Sequence, residues 1–337
     1  VTSPAAVLVI KLSALGDFVL AFPAFARIRA AHPAARITLL TTPPYAALAA
    51  ASPYFDAVES DGRPGSLAGA LALIGRLRRR PPDLVYDLQG NDRTNLLFQV
   101  LRPFPPRWSG VALGCALPHA NPGRMRMHTL ERQAQQLQAA GIWPDAPTAP
   151  GQAPAPDVAW MLRLAPGAPP QALAERRPLA LLVPGAAPRR PAKRWPADRF
   201  ADLARRLLDL GLAVQIIGGP AEADLAAAIA RDAPGAANLA GRTDLLALAA
   251  LGAQAAVAVG NDTGPMHLIA AAGAPSVVLF SAHSDPALCA PRGRVTVLRE
   301  AALADLAVGA VMAAAWRDFA DPAAGNLDPA INHDHMS

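Results

Sequence analysis

Five consecutive apolar residues, Ala6-Val7-Leu8-Val9-Ile10, lead almost directly into the turn Ser13-Ala14-Leu15-Gly16-Asp17 and then a helical stretch expected over 18–31. A strand with one wet face alternates apolar and polar residues. An unbroken apolar run of strand length suits a strand covered on both faces. The unit restarts far along the chain, where 179–183 reads as a buried strand and 197–210 as the helix after it. Further strands are expected at 36–41, 83–88, 213–217, 255–259 and 276–280, and further helices at 67–80, 221–231, 245–251 and 265–272. Such alternation implies an α/β fold with parallel sheets.

A chain of 337 residues exceeds one ordinary core and suits two domains. Prolines crowd between 144 and 178, with a short helix expected at 158–164. The expected division is a first domain over 1–165, a linker over 166–178, a second domain over 179–318 and a disordered tail over 319–337. His333-Asp334-His335 in that tail is expected to be solvated rather than metal-binding. The longest apolar stretches, 245–259 and 268–280, are interrupted by Gln254, Gly273 and Pro275, so no membrane span is expected. Lys11 and Asp17 fall where a signal peptide would be apolar, which favours a buried strand at 6–10. Cys115 and Cys289 make neither a metal spacing nor a disulfide framework, and a reducing compartment is expected.

Lys and Arg number 31 against 26 Asp and Glu, a formal charge of +5 that suits an anionic substrate. Aromatics are 5% of the chain, too few for base-stacking platforms, and no nucleic-acid partner is expected. The only lysines are Lys11 and Lys193. Where arginine fills nearly every cationic position, a lysine can mark a need for a compact ammonium, or only base composition. Arg76, Arg78, Arg79 and Arg80 form a basic cluster that fits either an anionic lipid-linked acceptor or membrane surface, or a solvated helix end.

Ligands of open α/β sheets bind beyond the carboxyl ends of the strands, so the loops after strands carry the candidates. After 6–10, Gly16 allows a tight turn or close ligand approach, and Asp17 begins a helix, where it could be simply a cap. After 179–183, four cations, Arg189, Arg190, Lys193 and Arg194, fall in a proline-stiffened loop. That loop suits a diphosphate, or is a solvated basic turn. After 213–217, Glu222 could bond a ribose diol or favour a helix N-terminus. After 255–259 comes Gly260-Asn261-Asp262-Thr263-Gly264-Pro265-Met266-His267. Pro265 suits the first residue of a helix, and amides around Thr263 and Gly264 would then face anionic oxygens. No G-x-G-x-x-G fingerprint accompanies a suitable strand, which argues against an NAD enzyme. No D-x-D sequence occurs, so no metal clamp is implied.

The motif 11–17, Pro184-Gly185-Ala186, Lys193-Arg194-Trp195-Pro196, the motif 260–267, Leu279-Phe280 and Asp285-Pro286 together resemble glycosyltransferase family 9, the ADP-heptose:lipopolysaccharide heptosyltransferases and relatives. The similarity runs from about Val7 to Ala315. It implies a GT-B architecture, two Rossmann-like domains facing a central cleft, acceptor on the first and nucleotide-sugar on the second. It implies Asp17 as catalytic base and Lys193 as the diphosphate ligand. It implies Asp262, Thr263, Gly264 and His267 as the donor loop, and Glu222 near the nucleoside. Lys11, Ser13, Gly16, Arg189 and Arg194 are further candidates around these. Leu20 stands where some heptosyltransferases carry a histidine, and Pro188 and Arg189 replace hydroxyl residues. Ser281-Ala282-His283-Ser284 replaces the usual Gly-Pro-Thr.

The implied activity is an inverting, metal-independent transfer of heptose from ADP-heptose to a lipopolysaccharide core or related glycan, with no cofactor. A cytoplasmic monomer is expected, in peripheral contact with the inner membrane. A catalytically silent nucleotide-sugar-binding paralogue, or a transferase using another nucleotide-sugar, is the alternative.

Overall fold

The computed structural model describes residues 4–12, 14–147, 149–165, 177–186 and 190–320. Ser13, Arg189, most of the expected linker and nearly all of the expected tail, His333 to His335 included, lie outside the described residues. The chain divides into two compact units between Pro156 and Asp157.

The first unit runs β1 (Ala6–Ile10), α1 (Leu15–Val19), α2 (Phe22–Ala31), β2 (Arg36–Leu40), α3 (Pro43–Ala51), β3 (Ala57–Glu59), α4 (Leu67–Arg79), β4 (Leu84–Asp87), α5 (Asp92–Val100), β5 (Arg107–Gly110), β6 (Leu117–Pro118) and α6 (Thr129–Ala139). Its strands lie in the order β3-β2-β1-β4-β5-β6, every pair parallel. β1 is central, with Ala6 opposite Arg36 and Val7 opposite Leu84. Helices cover both its faces, which is why its residues needed no polar alternation. One core layer gathers Leu8, Ile10, Val85, Phe98 and Trp108.

The second unit runs α7 (Ala159–Leu164), β7 (Leu179–Val183), α8 (Ala197–Asp209), β8 (Ala213–Ile216), α9 (Ala223–Asp232), β9 (Ala237–Asn238), α10 (Leu245–Gln254), β10 (Ala255–Asn261), α11 (Gly264–Ala271), β11 (Ser276–Ser281), α12 (Pro286–Cys289), β12 (Val295–Glu300) and α13 (Val308–Ala320). Its parallel order, β12-β11-β10-β7-β8-β9, repeats the connectivity of the first sheet. On α8, Phe200, Leu203, Ala204 and Leu207 recur at helical spacing and bury one stripe against Leu182, Val214 and Val259.

The helix expected over 18–31 is two helices. Pro23 has no N–H to give the carbonyl of Val19, so the chain turns at Leu20 and Ala21 and restarts with Pro23 in the first turn. The boundary between units falls before the short helix rather than after 165. α7 packs on α10 and buries Trp160 and Met161, so it belongs with the second sheet. α13 also runs past 318, the limit expected for the second domain. Among the described residues, no helix is long and apolar enough to cross a membrane. Both cysteines are free thiols.

Candidate functional site

In each sheet the strand order reverses between two central strands, β1 and β4 in the first, β7 and β10 in the second. Loops leaving the carboxyl ends of such a pair diverge and leave a crevice. The motif after β1 leaves the first such point, and those after β7 and β10 leave the second.

In the second unit these loops are locked by Asn261, a fully buried residue at the end of β10. Its Nδ2 donates to Pro184 O at 2.8 Å, and its Oδ1 accepts from Trp195 N–H at 3.0 Å. One amide therefore ties the loop after β7 and the segment behind Lys193 to the strand that Asp262 directly follows. Trp195 is anchored in turn by its indole N–H on Leu306 O at 2.9 Å and by an edge contact with Phe200. Arg194 closes the loop by donating to Ala186 O at 2.9 Å.

Lys193 sits at the end of a 3-10 turn with its ammonium 2.6 Å from Asp262 Oδ2. The Ser284 hydroxyl donates to the same oxygen at 2.6 Å. Both members of the ion pair are about nine-tenths buried, with side chains 10% and 9% exposed. An ammonium has three N–H donors, so two remain for a ligand after Asp262 takes one. Asp262 leads into Thr263, the N-cap of α11, whose hydroxyl does not cap the helix. Gly264 and Pro265 open that helix, and His267 is buried in its first turn. Amides at a helix start favour anionic oxygens.

Glu222 lies over the loop after β7. A Cβ on Gly185 would stand 2.8 Å from Glu222 Cγ. Glu222 Oε2 accepts from Gly219 N–H at 2.8 Å. The helix-start role is thus realised, and it occupies one of the two carboxylate oxygens.

In the first unit Asp17 is half-buried in the first turn of α1. It is not a cap. The N-cap is Ala14, which offers no capping side chain. Gly16 beside it is buried. Lys11 is 3% exposed, and its ammonium lies 3.4 Å from Leu88 O. Burial lowers its pKa to about 8, against the attraction of Asp17 and, more weakly, Asp87. Gln89 Oε1 accepts from Leu12 N–H at 2.8 Å, and Asp87 accepts from the amides of Gln89 and Gly90. The loops after β1 and β4 are thereby stitched together. Burial raises the pKa of Asp87.

Lys193, Asp262, Thr263 and Gly264 therefore come together, with Glu222 beside Gly185 in the same unit. Asp17, Gly16 and Lys11 come together in the other unit. Ser13 and Arg189 lie outside the described residues. Sequence reasoning missed Asn261 and Ser284. A polar residue ending a fully apolar strand was the available signal for the first. Nothing local distinguished Ser284, whose partner is 22 positions away. The basic cluster is partly structural: Arg76 pairs with Glu59 at 2.7 Å and with Asp61, and Arg78 donates to Val100 O. Arg79 and Arg80 are exposed. Among the described residues, no group of three or more His, Cys, Asp or Glu is placed to hold a metal ion.

Comparison with known proteins gives concordant results. The model of glycosyltransferase family 9 (heptosyltransferase) matches residues 70–305. Lipopolysaccharide heptosyltransferase 2 of Escherichia coli strain K12 is 37% identical over 117 residues, which is 33% of this chain and 33% of that protein. The chain thus matches about a third of the length of this curated relative. The structure of E. coli ADP-heptose lps heptosyltransferase II superposes with a TM-score of 0.72 at 23% identity, covering 93% of this chain and 99% of that one. E. coli heptosyltransferase WaaC with ADP gives 0.70 at 22% identity, covering 90% and 97%. At such identities the likeness is one of fold, the two Rossmann-like domains of the GT-B architecture.

Proposed function

The chain belongs to glycosyltransferase family 9, and from that membership and the site geometry we propose that it is an inverting, metal-independent glycosyltransferase. Its donor is a nucleotide-diphosphate sugar, ADP-heptose, and its acceptor a lipopolysaccharide core or related glycan. The observation that carries this reading is the Lys193–Asp262–Ser284 cluster beside the start of α11. It offers a held ammonium and outward amides to a diphosphate, and a carboxylate oxygen, Asp262 Oδ1, to a sugar hydroxyl.

In this reading Asp17 takes the proton of an acceptor hydroxyl while that oxygen attacks the anomeric carbon. The C–O bond to the diphosphate breaks on the opposite face, and its electron pair leaves on the phosphate. Lys193, Arg194 and the amides near Thr263 and Gly264 stabilise the charge that develops there. His267 shapes the donor loop from within α11. The remaining oxygen of Glu222 meets the ribose. No cofactor takes part. The enzyme works as a cytoplasmic monomer, and exposed Arg79 and Arg80 meet the anionic headgroups around a lipid-linked acceptor.

A panel of ADP-, UDP-, GDP- and dTDP-sugars tested by thermal shift, followed by transfer assays with and without EDTA, tests the reading. ADP-heptose should raise the melting temperature most, and transfer should survive EDTA. Stabilisation by another nucleotide-sugar would reassign the donor. Binding without turnover would indicate a silent paralogue. Activity lost to EDTA and restored by Mg²⁺ would sink the metal-free mechanism.

A further inference from the structure

The turn that follows β11 reaches back to the donor loop. Asp262 lies one residue beyond β10, and its N–H donates to Leu279 O of β11 at 3.0 Å. β11 ends at Ser281, which is buried. The Ser281 carbonyl accepts from the Ser284 N–H at 3.2 Å, and its hydroxyl accepts from the His283 N–H at 3.3 Å. These two bonds shape the turn 281–284, from which the half-buried Ser284 places its hydroxyl 2.6 Å from Asp262 Oδ2. An ionised carboxylate only accepts, so the hydroxyl donates its proton to this bond.

The Lys193 ammonium meets the same oxygen, also at 2.6 Å. Oδ1 accepts from no described residue. The two oxygens of one symmetric group are thus unequal. The ammonium alone does not cause this. It is a compact charge with rotatable donors, and the terminal torsion of an aspartate is broad and nearly two-fold, so either oxygen can face it. A hydroxyl held at a fixed place by its own turn separates them. With two donors from two different loops on Oδ2, the carboxylate no longer turns freely and Oδ1 keeps one direction.

We propose that Ser284 is a positioning residue of the donor site, which fixes the Asp262 carboxylate so that Oδ1 is presented to the donor sugar. This role rests on the reading in which Asp262 Oδ1 meets a sugar hydroxyl. Its consequence is selective. The diphosphate answers to Lys193 and to the amides near Thr263 and Gly264, which remain when Ser284 is changed. The sugar answers to the direction of Oδ1, which does not.

The test is a calorimetric titration of ADP and of ADP-heptose into the full-length protein, as wild type, Ser284→Ala, Ser284→Thr, Asp262→Asn and the Ser284→Ala/Asp262→Asn double variant. The quantity read is the ratio of the two Kd values. Ser284→Ala should weaken ADP-heptose by roughly 3–10-fold, the loss of about one net hydrogen bond, and leave ADP within about twofold. Ser284→Thr keeps the hydroxyl on the same carbon and should restore the ratio. In the Asp262→Asn background Ser284→Ala should add nothing, because no carboxylate remains to be aimed. Equal weakening of ADP and ADP-heptose overturns the inference, since a loosened loop acts on both. So does an unchanged ratio in Ser284→Ala, a threonine that fails to restore it, or a full effect of Ser284→Ala in the Asp262→Asn background. The underlying reading fails differently. An Asp262→Asn protein that keeps the wild-type ratio shows that Asp262 does not meet the sugar, which ends both. An Asp262→Asn protein that loses the ratio beside an unaffected Ser284→Ala ends only the role of Ser284.

Discussion

At the scale of single residues the sharpest expectation is Asp17→Asn. The two side chains are nearly isosteric and Ala14, not Asp17, occupies the N-cap, so α1 should keep its structure. Turnover should fall ~10²–10⁴-fold, the usual cost of removing a general base, while donor affinity stays within about twofold. Stopped transfer assays beside donor titrations check both halves. Lys11 gives a second expectation, in stability. Its folded pKa of about 8 lies below the ordinary lysine value of 10.5. Below pH 8 both states hold the proton and the burial penalty is complete. Between pH 8 and 10.5 only the unfolded chain still holds it, so stability rises with pH across that window. Compared with Lys11→Met, which has no proton to lose, the wild type should recover on the order of 2–3 kcal/mol between pH 7.5 and 10. Denaturant unfolding of both proteins at the two pH values measures it, and a constant gap would contradict the burial argument. At this scale the places of Asp17, Lys193 and the residues 262–264 in the fold were legible, because each lies after an apolar strand, while their roles stay proposals. Ser284 and Asn261 were not legible, because their roles arise from contacts across sequence distance. Ser284 and Asn261 act on groups 22 and 66 or more positions away, respectively.

At the scale of elements, β10 and α11 are joined with no space to spare. A Cβ at Gly260 would stand 2.7 Å from both Val183 Cβ and Met266 Sδ. Met266 could shift its flexible end, but Val183 belongs to the neighbouring strand β7 and cannot. Gly260→Ala should therefore cost about 1–3 kcal/mol by overpacking and lower the melting temperature by several degrees. It should also loosen the donor loop that starts two residues on. Pairing the change with Met266→Ala should recover only part of the loss, since Val183 remains. The link between the loop at 191–193 and β10 can be measured too. Lys193→Met alone leaves the carboxylate of Asp262 nearly buried with only Ser284 to answer it. Combining it with Asp262→Asn removes that stranded charge. The double variant should be more stable than the sum of the single losses predicts, by at least about 1 kcal/mol, although both forms bind the donor poorly. Strict additivity in a double-mutant cycle would mean the pair is not coupled. Periodicity located most elements, for the reason seen in α8, whose buried stripe is regular. It failed where local chemistry interrupts a pattern. Pro23 splits one expected helix into two. β3 and β9 are three and two residues long, too short to carry a period of their own.

At the scale of the whole chain, each unit has its own sheet and its own core, and the point of division decides how its independent folding is tested. The proline-rich segment 144–178 drew the boundary toward its far end. Composition marks where a chain resists regular structure, but it does not say which side a short helix packs on. Trp160 and Met161 of α7 are 4% and 0% exposed, and α7 packs on α10 of the second unit. A fragment beginning at 179 would strip these side chains away and leave an apolar face of α10 in water. Truncating one buried Trp or Met side chain typically costs ~2–5 kcal/mol, a large share of the ~5–15 kcal/mol that holds a domain together. A fragment spanning 157–320 keeps them. It also keeps Lys193, Glu222, Asp262 and α11, and it lacks Asp17. It should unfold in one cooperative transition, bind ADP and ADP-heptose with an affinity close to that of the full chain, and transfer nothing. The fragment starting at 179 should melt lower or aggregate. Calorimetry establishes folding for each, and donor titration by heat or fluorescence follows on those that fold. If the longer fragment folds but binds no nucleotide, the donor site is not the second unit's own, and the assignment of Lys193 and Asp262 to it is wrong. If the shorter fragment is equally stable, α7 is a passenger and the boundary near 165 suffices.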